Sequence, residues 1–460
     1  MNTRLLKHRS LFLFLTLMLI NALTVTISQE ASASTDGGCQ PLVTVTSPDD
    51  NGSGTLRQAI ADVCAKGVID FDLALPNTIT LTSGELIIDK PMTIAGPGAE
   101  LLSVSVTIGR VLQNQGEGVY LSGLTIRDGI TAAGGSGMGV LNFGIMTISD
   151  SIIRDNTIDN LLGGPALGAG IANYGTLTIN NSTITENKVV GNATELGGGI
   201  YNMLGGSVTI NNSTISDNDA IGGSGGGIFN DIGTVIIHYS TIVNNDSYQT
   251  DGIGTGFGSL VILHNSIIAN NGSSNCNPEP GEMIVSLGHN LSNNNDCNLV
   301  GPGDLPNTDP LLGPLQDNGG TTPTHALLPG SPAIDAAALD CPPTDQRGVA
   351  RPQGPRCDIG AFEAVYETMV LAHQYWMNDG SSGSGVFSLL TDGSFTDDVG
   401  GTGAWSFLPT PPRLLLQYDA GFACDALLAG KFLTDNQAQG LRLCQDGSGV
   451  RGVWQATVPD

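Results

Sequence analysis

The chain has 460 residues, and its 17 Lys and Arg against 43 Asp and Glu give a formal net charge of −26 at pH 7. Nucleic acids and anionic membranes need clustered Lys and Arg, so we expect neither as a partner. The interval between Lys188 and Arg347 contains no Lys or Arg at all. The middle of the chain therefore offers no fixed cationic side chain to an acidic polysaccharide.

Residues 1–33 have the composition of a secretion signal. Basic residues that include Arg4 precede the apolar run Leu11–Ile20, and Ala31–Ala33 (Ala-Ser-Ala) forms a small-x-small cleavage site. A retained membrane anchor is the alternative. No other segment is apolar enough to span a bilayer, so we expect a secreted mature chain without a transmembrane segment.

Residues 34–117 are predicted to form an N-terminal cap and the first, irregular coils of a solenoid. Ser53 can be the N-cap of a short amphipathic helix over Thr55–Cys64, whose apolar side chains fall on one face. Such a helix would cover the open edge of the coils that follow. Three short strands are expected next, at Ile79–Leu81, Leu86–Ile88 and Met92–Ile94.

Residues 118–272 contain one six-residue phrase at least five times. The first clear copy is Ser-Ile-Ile-Arg-Asp-Asn, and a degenerate copy precedes it. The copies are Leu124–Gly129, Ser151–Asn156, Ser182–Asn187, Ser213–Asn218, Ser240–Asn245 and Ser266–Asn271. Their starts lie 27, 31, 31, 27 and 26 residues apart. A second phrase, Gly-x-Gly-Ile-x-Asn, runs in phase with them at Gly168–Asn173, Gly197–Asn202 and Gly225–Asn230. Self-similarity at such a period indicates a repeat architecture.

The repeat predicts an all-β fold, a single-stranded right-handed parallel β-helix of the pectate-lyase type. Gly, Asn, Ser and Thr are poor in helix interiors, and aliphatic residues alternate as in Leu177–Ile179. Equivalent residues would stack about 4.8 Å apart along the axis. The Gly triplets are expected at tight corners. We expect an interior column of Ile153, Ile184, Ile215, Ile242 and Ile268, and a turn ladder of Asn156, Asn187, Asn218, Asn245 and Asn271.

Residues 273–365 are rich in Pro and Gly and are predicted to form the last coils and a C-terminal cap. The composition changes again near Tyr366. Residues 366–460 contain alternating runs separated by Asp-Gly turns, which predicts a small antiparallel β-barrel or curved sheet. This part also holds all three tryptophans, Trp376, Trp405 and Trp454. Their side chains either line a sugar or lipid pocket or close the barrel core.

The eight cysteines form an even set, which indicates disulfides in a secreted chain. Neighbours in the sequence are the expected partners, although other pairings remain open. None of the pairs has the Cys-x-x-Cys spacing of a zinc or redox site. The expected pairs are Cys39 with Cys64, Cys276 with Cys297, Cys341 with Cys357, and Cys424 with Cys444.

Several segments resemble families of secreted bacterial β-helix proteins. Thr55–Ile60, with the Gly96–Gly98 turn after it, is similar to the CSLREA-type leader without its first Cys-Ser. Gly330–Asp335 and Cys357–Glu363 are among the motifs between residues 309 and 363 that resemble the choice-of-anchor Q domain. The repeats resemble those of polymorphic outer-membrane protein passengers. The resemblance implies a right-handed β-helix at the surface of a bacterial cell or released from it, and it supplies no catalytic residue.

Four acidic residues share one column, each just before the turn Asn or Gly. They are Asp128, Asp155, Glu186 and Asp217. Adjacent coils would place their backbones about 5 Å apart, which suits the carboxylate pair of a glycosidase or a Ca²⁺ ion held by Asp155, Glu186 and Asp217. Arg127 and Arg154 stack beside them, where they could assist a lyase or form surface ion pairs. Acidic turn residues in an acidic protein are the simpler interpretation.

Other polar residues give weaker indications of a functional site. His238 and His264 lie 26 residues apart, nearly one coil, but no matching Cys or carboxylate pattern supports a metal site. No Ser-His-Asp arrangement can be assembled from spacing. A charged set near the end of the solenoid is expected to form a cap network that satisfies the open strand edges of the last coil, with a binding site as the alternative. Its members are Asp335, Asp345, Arg347, Arg351, Asp358 and Glu363.

Two functions remain open. The first is a monomeric, non-catalytic scaffold, secreted or on a bacterial cell surface, that binds a polysaccharide, extracellular matrix or a cell-envelope component. Its binding candidates are Arg127, Arg154 and the three tryptophans. The second is a polysaccharide-active enzyme, a glycoside hydrolase or less readily a lyase, that uses the acidic column. Apart from Ca²⁺, no cofactor is expected.

Overall fold

A computed structural model of the chain describes residues 38–160, 163–191, 195–278 and 283–365, together with the backbone of strands between Met369 and Thr457. The predicted secretion signal, residues 1–33, lies outside the described residues. Within them, no helix has the length and apolar character that crossing a membrane requires.

The chain winds into a right-handed parallel β-helix, as the repeat predicts. A regular coil contributes one strand to each of three long sheets, in the order sheet 1, sheet 2, sheet 3. Sheet 1 contains Gln40–Val45, Val63–Phe71, Met92–Ala95, Glu117–Ser122, Ile145–Ser149, Thr176–Asn180, Ser207–Asn211, Thr234–His238, Leu260–His264 and Met283–Ser286. Sheet 2 contains Asn77–Leu81, Leu102–Val106, Thr125–Arg127, Ile152–Arg154, Thr183–Thr185, Thr214–Ser216, Thr241–Val243 and Ile267–Ala269. Sheet 3 contains Leu86–Ile88, Leu112–Asn114, Val140–Asn142, Ile171–Asn173, Ile200–Met203, Ile228–Asp231, Ile253–Thr255 and Cys276–Asn277.

Shorter strands lie between sheets 2 and 3 in the middle coils. One group is Ile130–Thr131, Thr157–Asp159, Lys188–Val190, Asp219–Ile221 and Asp246–Ser247. A second group is Gly135–Ser136, Ala166–Leu167 and Glu195–Leu196. After the coils, Leu312–Gln316 and Thr324–Leu327 form an antiparallel hairpin.

The interior of the coils is aliphatic. The predicted isoleucine column lies in sheet 2, where its members pair in register and are at most 1% exposed. Burial of one such side chain contributes about 1.5–3 kcal/mol. Because every coil repeats the same residue at the same place, each coil packs its core mainly against the coils before and after it.

The predicted asparagine ladder is present and buried. Asn156 Nδ2 donates to Asn187 Oδ1 over 2.8 Å, and the same bond continues through Asn218, Asn245 and Asn271 over 2.9 Å each. These side chains are at most 2% exposed. The ladder is therefore an internal hydrogen-bonded element and offers no polar strip to a ligand.

A second asparagine ladder belongs to the Gly-x-Gly-Ile-x-Asn phrase. Amide bonds of 2.7–2.8 Å join successive coils from Asn114 through Asn142, Asn173 and Asn202 to Asn230. The sequence predicts the corner glycines of this phrase but not the ladder. The glycines do form close corners, since a Cβ at Gly199 would meet the backbone oxygen of the next coil at 2.6 Å.

The N-terminal helix is present but is shorter than predicted and begins at a different cap. It spans Leu56–Asp62, and its N-cap is Thr55, whose hydroxyl accepts a hydrogen bond from the backbone N–H of Gln58. Ser53 is therefore not the N-cap. Threonine at this position satisfies one of the first free N–H groups of the helix, as a preferred capping residue does. Leu56, Ala59 and Ile60 are buried, as expected.

The segment of residues 308–365, here called the lateral segment, lies along the outer face of sheet 2. Gln346 is its central contact, since its Nε2 donates to Thr183 Oγ1 over 2.9 Å and its Oε1 accepts from Thr214 Oγ1 over 2.7 Å. Thr322 Oγ1 donates to the Asn181 carbonyl over 3.0 Å. The prediction that this segment satisfies the open strand edges of the last coil is therefore wrong in its placement, because its contacts are spread along the side of several coils.

The charged residues of the lateral segment form a buried network within the segment. Arg351 Nη1 lies 3.1 Å from Glu363 Oε2, and both side chains are at most 1% exposed. Arg347 Nη2 lies 2.7 Å from Asp345 Oδ2. Burial and the neighbouring Glu363 carboxylate raise the pKa of Asp358 to about 7. These charges are buried away from solvent, and the hydrogen bonds and ion pairs of the network take the place of the water that they have lost.

Disulfides and the C-terminal strands complete the fold. The structure forms Cys276–Cys297 and Cys341–Cys357, as neighbour pairing predicts. Cys39 and Cys64 are also disulfide-bonded, whereas the predicted pairing of Cys424 with Cys444 lies outside the described residues. The C-terminal strands form a closed antiparallel barrel, which confirms the predicted class. They are Met369–Met377, Ser382–Leu389, Ser394–Asp397, Thr402–Pro409, Pro412–Tyr418, Ala426–Thr434, Gln437–Cys444 and Gly449–Thr457.

Candidate functional site

The acidic column lies at the corner where each coil leaves sheet 2. Its residues adopt left-handed backbone conformations, with φ of 62° at Asp128, 56° at Asp155, 57° at Glu186 and 57° at Asp217. Asp and Asn tolerate this conformation better than other non-glycine residues. Backbone geometry therefore accounts for three of the four acidic residues. Glu186 gains no such advantage, which makes it the member whose side chain most needs another explanation.

The two arginines pair with this column. Arg127 Nε lies 2.7 Å from Asp128 Oδ2, and this hydrogen bond raises the pKa of Arg127. Arg154 lies between two coils, with Nε 3.3 Å from Asp155 and Nη1 3.8 Å from Glu186. The side chains of these ion pairs are 33% to 55% exposed, so solvent screens the charges and each pair contributes little to stability.

Asp217 belongs to a different cluster, which residue spacing does not predict. Ser216 Oγ lies within hydrogen-bond distance of two groups, Asp217 Oδ2 at 2.7 Å and His325 Nε2 at 2.8 Å. His325 Nδ1 lies 2.8 Å from the Gly313 carbonyl. A serine, a histidine and an aspartate therefore meet, but Ser216 is fully buried and His325 is 2% exposed. No acyl substrate can reach the hydroxyl, so the cluster fastens the Thr324–Leu327 strand to sheet 2.

A groove opens between the outer face of sheet 2 and the hairpin of the lateral segment. Its volume is about 330 Å³, near the lower limit of small-ligand sites. Both arginines and Glu186 line it, whereas Asp128, Asp155 and Asp217 do not. Its lining residues are Ala99, Glu100, Ser103, Thr125, Arg127, Ile152, Arg154, Thr185, Glu186, Leu315, Gln316 and Pro323.

One polar atom of the groove has no partner. Thr185 Oγ1 is buried without a hydrogen bond, on a residue that is 4% exposed and that pairs in register with Arg154. An unsatisfied buried hydroxyl costs free energy, so such a group usually indicates an unseen partner, either water or a ligand. Residue spacing does not indicate this group, because the hairpin that covers it comes from a distant, non-repeating part of the chain.

The remaining candidates from the sequence are the tryptophans and the possible metal ligands. The side chains of Trp376, Trp405 and Trp454 lie outside the described residues. The Ca²⁺ candidate formed by Asp155, Glu186 and Asp217 stays a prediction, with Arg154 beside its first two members and Ser216 bonded to the third. Cys276, Asp296 and Cys297 cluster closely, but the two sulfurs form a disulfide and offer no thiolate to a metal.

Comparisons with known proteins add little to this geometry. No family model matches the chain, and no curated protein matches it. Among solved structures, it is similar to a mutant form of AlyGC, an alginate lyase of family PL6, at 13% identity. The match covers 71% of this chain and 60% of that one, with a TM-score of 0.19. The chain thus spans less than two thirds of that enzyme, and a likeness of this size says nothing about activity.

Proposed function

We propose that this protein is an extracellular, non-catalytic β-helix scaffold that binds a glycan in the groove above sheet 2. The observation that carries the proposal is the groove itself, which combines charges of both signs with the unpartnered Thr185 hydroxyl. Sugar hydroxyl groups both donate and accept hydrogen bonds, so they suit such a mixed lining. The disulfides are consistent with an extracellular protein.

The charge pattern favours a neutral glycan over an acidic one. Arg127 and Arg154 lie in the groove, but their guanidinium groups are already paired with the acidic column. Glu100 and Glu186 line the same groove, and the whole chain carries a net charge of −26. A polyanion would meet repulsion from these carboxylates that the paired arginines cannot fully offset.

Binding to a panel of neutral and acidic oligosaccharides tests this proposal. We expect at least one neutral oligosaccharide to bind, and Thr185→Val to weaken its binding by about 5- to 30-fold, because the change replaces the hydroxyl with a methyl group of similar size. Thr209→Val is the matched control, since Thr209 lies half-buried on sheet 1, away from the groove. Absence of binding across the panel, or equal effects of the two variants, would contradict the proposal.

A polysaccharide-active enzyme is the second candidate, and one observation favours it. Glu100 and Glu186 are carboxylates that line the same groove, and glycosidases act through carboxylate pairs. An assay for new reducing ends and unsaturated uronates on the same panel separates the two functions. Turnover that disappears in Glu186→Gln would establish the enzyme and refute the non-catalytic scaffold.

A further inference from the structure

Sheet 1 is the one long sheet whose outer side chains stay accessible along the middle coils that the structure describes. Thr183 on the outer face of sheet 2 is fully buried, and Tyr201 and Phe229 on the outer face of sheet 3 are at most 8% exposed. The outer side chains of sheet 1 are half-buried or exposed in five successive strands, from Ile145–Ser149 to Leu260–His264. Parallel sheets are normally covered on both faces, so an uncovered one of this length indicates a surface that meets a partner.

This surface, here called the open face, carries no fixed charge. The outer side chains of its five strands form three rows along the solenoid, and none of them is Asp, Glu, Lys or Arg. Burial lowers the pKa of both histidines in the third row below the ordinary value of 6.5, so the two imidazoles are neutral at pH 7. The rows are Ile145, Thr176, Ser207, Thr234 and Leu260; Thr147, Thr178, Thr209, Ile236 and Ile262; and Ser149, Asn180, Asn211, His238 and His264.

The absence of charge is informative because the chain as a whole has a net charge of −26. A partner of either charge would be recognised by complementary charges on the surface that it meets. The open face offers hydroxyl, amide and aliphatic groups instead. It therefore suits a partner that is itself uncharged and that has both apolar and hydrogen-bonding groups.

The open face is also held in place by its own contacts. Asn211 Nδ2 donates to Asn180 Oδ1 over 3.0 Å, and Asn180 Nδ2 donates to Ser149 Oγ over 3.3 Å. Neighbouring strands of a sheet lie about 4.8 Å apart, so each row repeats at that spacing. Because these groups are fixed before binding, they lose little conformational freedom when they meet a flat partner.

A row of apolar side chains, here called the corner row, borders the open face where each coil passes from sheet 3 into sheet 1. Four of its five members are 50% to 82% exposed, and the rings of the first two have centroids 5.1 Å apart. Asp231 is the only charged residue of these corners, and it accepts a hydrogen bond from the Tyr201 hydroxyl over 3.3 Å. Exposed apolar patches of this kind mark interaction sites. The corner row consists of Phe143, Tyr174, Leu204, Ile232 and Phe257.

Two members of the corner row are kept in spite of backbone strain. Leu204 has φ of 56° and Ile232 has φ of 55°, in the left-handed region that Gly and Asn adopt more readily. Both side chains are at least half exposed, so packing in the core does not account for them. Strain of this kind concentrates at functional sites. Contact between these side chains and a partner would explain why the corners hold Leu and Ile.

We propose that the open face and the corner row bind the surface of an insoluble, uncharged polysaccharide, such as crystalline cellulose or chitin. Such a surface is flat, has no charge, and presents the apolar C–H groups of sugar rings together with hydroxyl groups. A second copy of this chain fits less well, because it would bring another net charge of −26. The open face belongs to a different sheet from the groove, so this proposal does not rest on the one made for the groove.

Adsorption of the mature chain to crystalline cellulose and to chitin tests the proposal. We expect saturable adsorption to at least one of them with a Kd below about 10 µM. Adsorption should persist between about 0.05 and 0.5 M NaCl, because salt screens charges and none are involved. Absence of adsorption to both polymers, or its loss at high salt, would overturn the proposal. The groove is assayed with soluble oligosaccharides, so a failure of either proposal is recognised separately.

The corner row is tested with the double variant Leu204→Asn/Ile232→Asn. Asn tolerates the left-handed conformation, so this variant should fold with a urea midpoint equal to that of the wild type or higher. Its adsorption should be at least ~10-fold weaker, because two apolar contacts are lost. Tyr248→Ser is the control, since Tyr248 is 77% exposed and lies outside both surfaces. Equal adsorption of the double variant and the wild type would refute the role of the corner row.

The open face is tested at the centre of its middle row. Thr178→Glu introduces a charge there and should weaken adsorption at least ~10-fold. Thr178→Val is the matched control and should adsorb like the wild type, because the same row already holds Ile236 and Ile262. Equal adsorption of the two variants would contradict the proposal. So would a wild-type dimer in sedimentation equilibrium that dissociates in Thr178→Glu, because it would assign the open face to a second copy of the chain.

Discussion

At the scale of single residues, the asparagine ladders show why the repeat keeps the same polar residue in the interior. Asn218 Oδ1 accepts from the backbone N–H and the side-chain amide of Asn187 over 3.1 and 2.9 Å. Its own Nδ2 donates to Asn245 Oδ1 over 2.9 Å and to the Ile184 carbonyl over 2.9 Å. No other side chain of this size supplies both a donor and an acceptor in one plane.

We therefore expect Asn218→Ala to lower the free energy of unfolding by about 2–4 kcal/mol, because it leaves several buried groups unsatisfied. Asn180→Ala is the control in the neighbouring coil, since Asn180 bonds to Asn211 on the partly exposed face of sheet 1 and should cost less than about 1 kcal/mol. Urea unfolding followed by circular dichroism measures both. Similar losses of stability in the two variants would contradict the role assigned to the ladder that contains Asn218.

The sequence predicts one ladder and not the other for a physical reason. In the phrase that ends at Asn218, the asparagine recurs in five copies together with the serine and the isoleucine, so its column stands out. In the phrase that ends at Asn202, the glycines account for the pattern by themselves. Whether a corner residue points inward depends on the backbone at that corner, and the spacing of residues does not specify it.

At the scale of elements, the lateral segment is the part that completes the groove. Its hairpin forms one wall of the groove. The sequence predicts its charged network but not the face that it covers. Segments of this kind are placed by contacts over long sequence separations, such as the bond between Gln346 and Thr183, and no local periodicity records them.

The network inside the segment should be necessary for its attachment. Arg351→Met leaves the Glu363 carboxylate buried without its ion pair, and removal of one partner from such a pair costs about 3–5 kcal/mol. We expect limited proteolysis to cleave the lateral segment of this variant faster than that of the wild type while the coils stay protected. Arg356→Met, at a less buried arginine of the same segment, is the control. Equal protection of the segment in both variants would show that the network is dispensable.

At the scale of the whole molecule, the coils are predictable because each contacts only its neighbours, so one repeat specifies the next. The groove cannot be predicted in this way, because it arises where a non-repeating segment meets the repeating one. Arg127, Arg154 and Glu186 were found from their column, since they belong to the coils. Their partners across the groove, Leu315 and Gln316, carry no signal of their own.

Stability of the whole fold should respond to acid through groups buried between these two parts, and His325 is the clearest. Burial lowers the pKa of His325 below its ordinary value of 6.5, although its hydrogen bond with the Gly313 carbonyl and the nearby Asp217 charge act in the opposite direction. The unfolded chain therefore binds a proton at His325 more readily than the folded one does. Its contribution to stability is complete above about pH 6.5 and is lost as the pH falls below that value.

Buried carboxylates have the opposite effect on the pH dependence of stability, because burial raises the pKa of Asp358 to about 7 and also raises that of Glu363. Their protonation favours the folded state as the pH falls. The wild type and the variant His325→Asn share these carboxylates, so comparing the two isolates the contribution of His325 to the pH dependence of stability. Between pH 7.5 and 5.5 we expect the wild type to lose more stability than the variant, measured by urea unfolding in EDTA. Parallel losses would mean that His325 keeps its ordinary pKa, and that its contacts with Ser216 and Gly313 offset its burial.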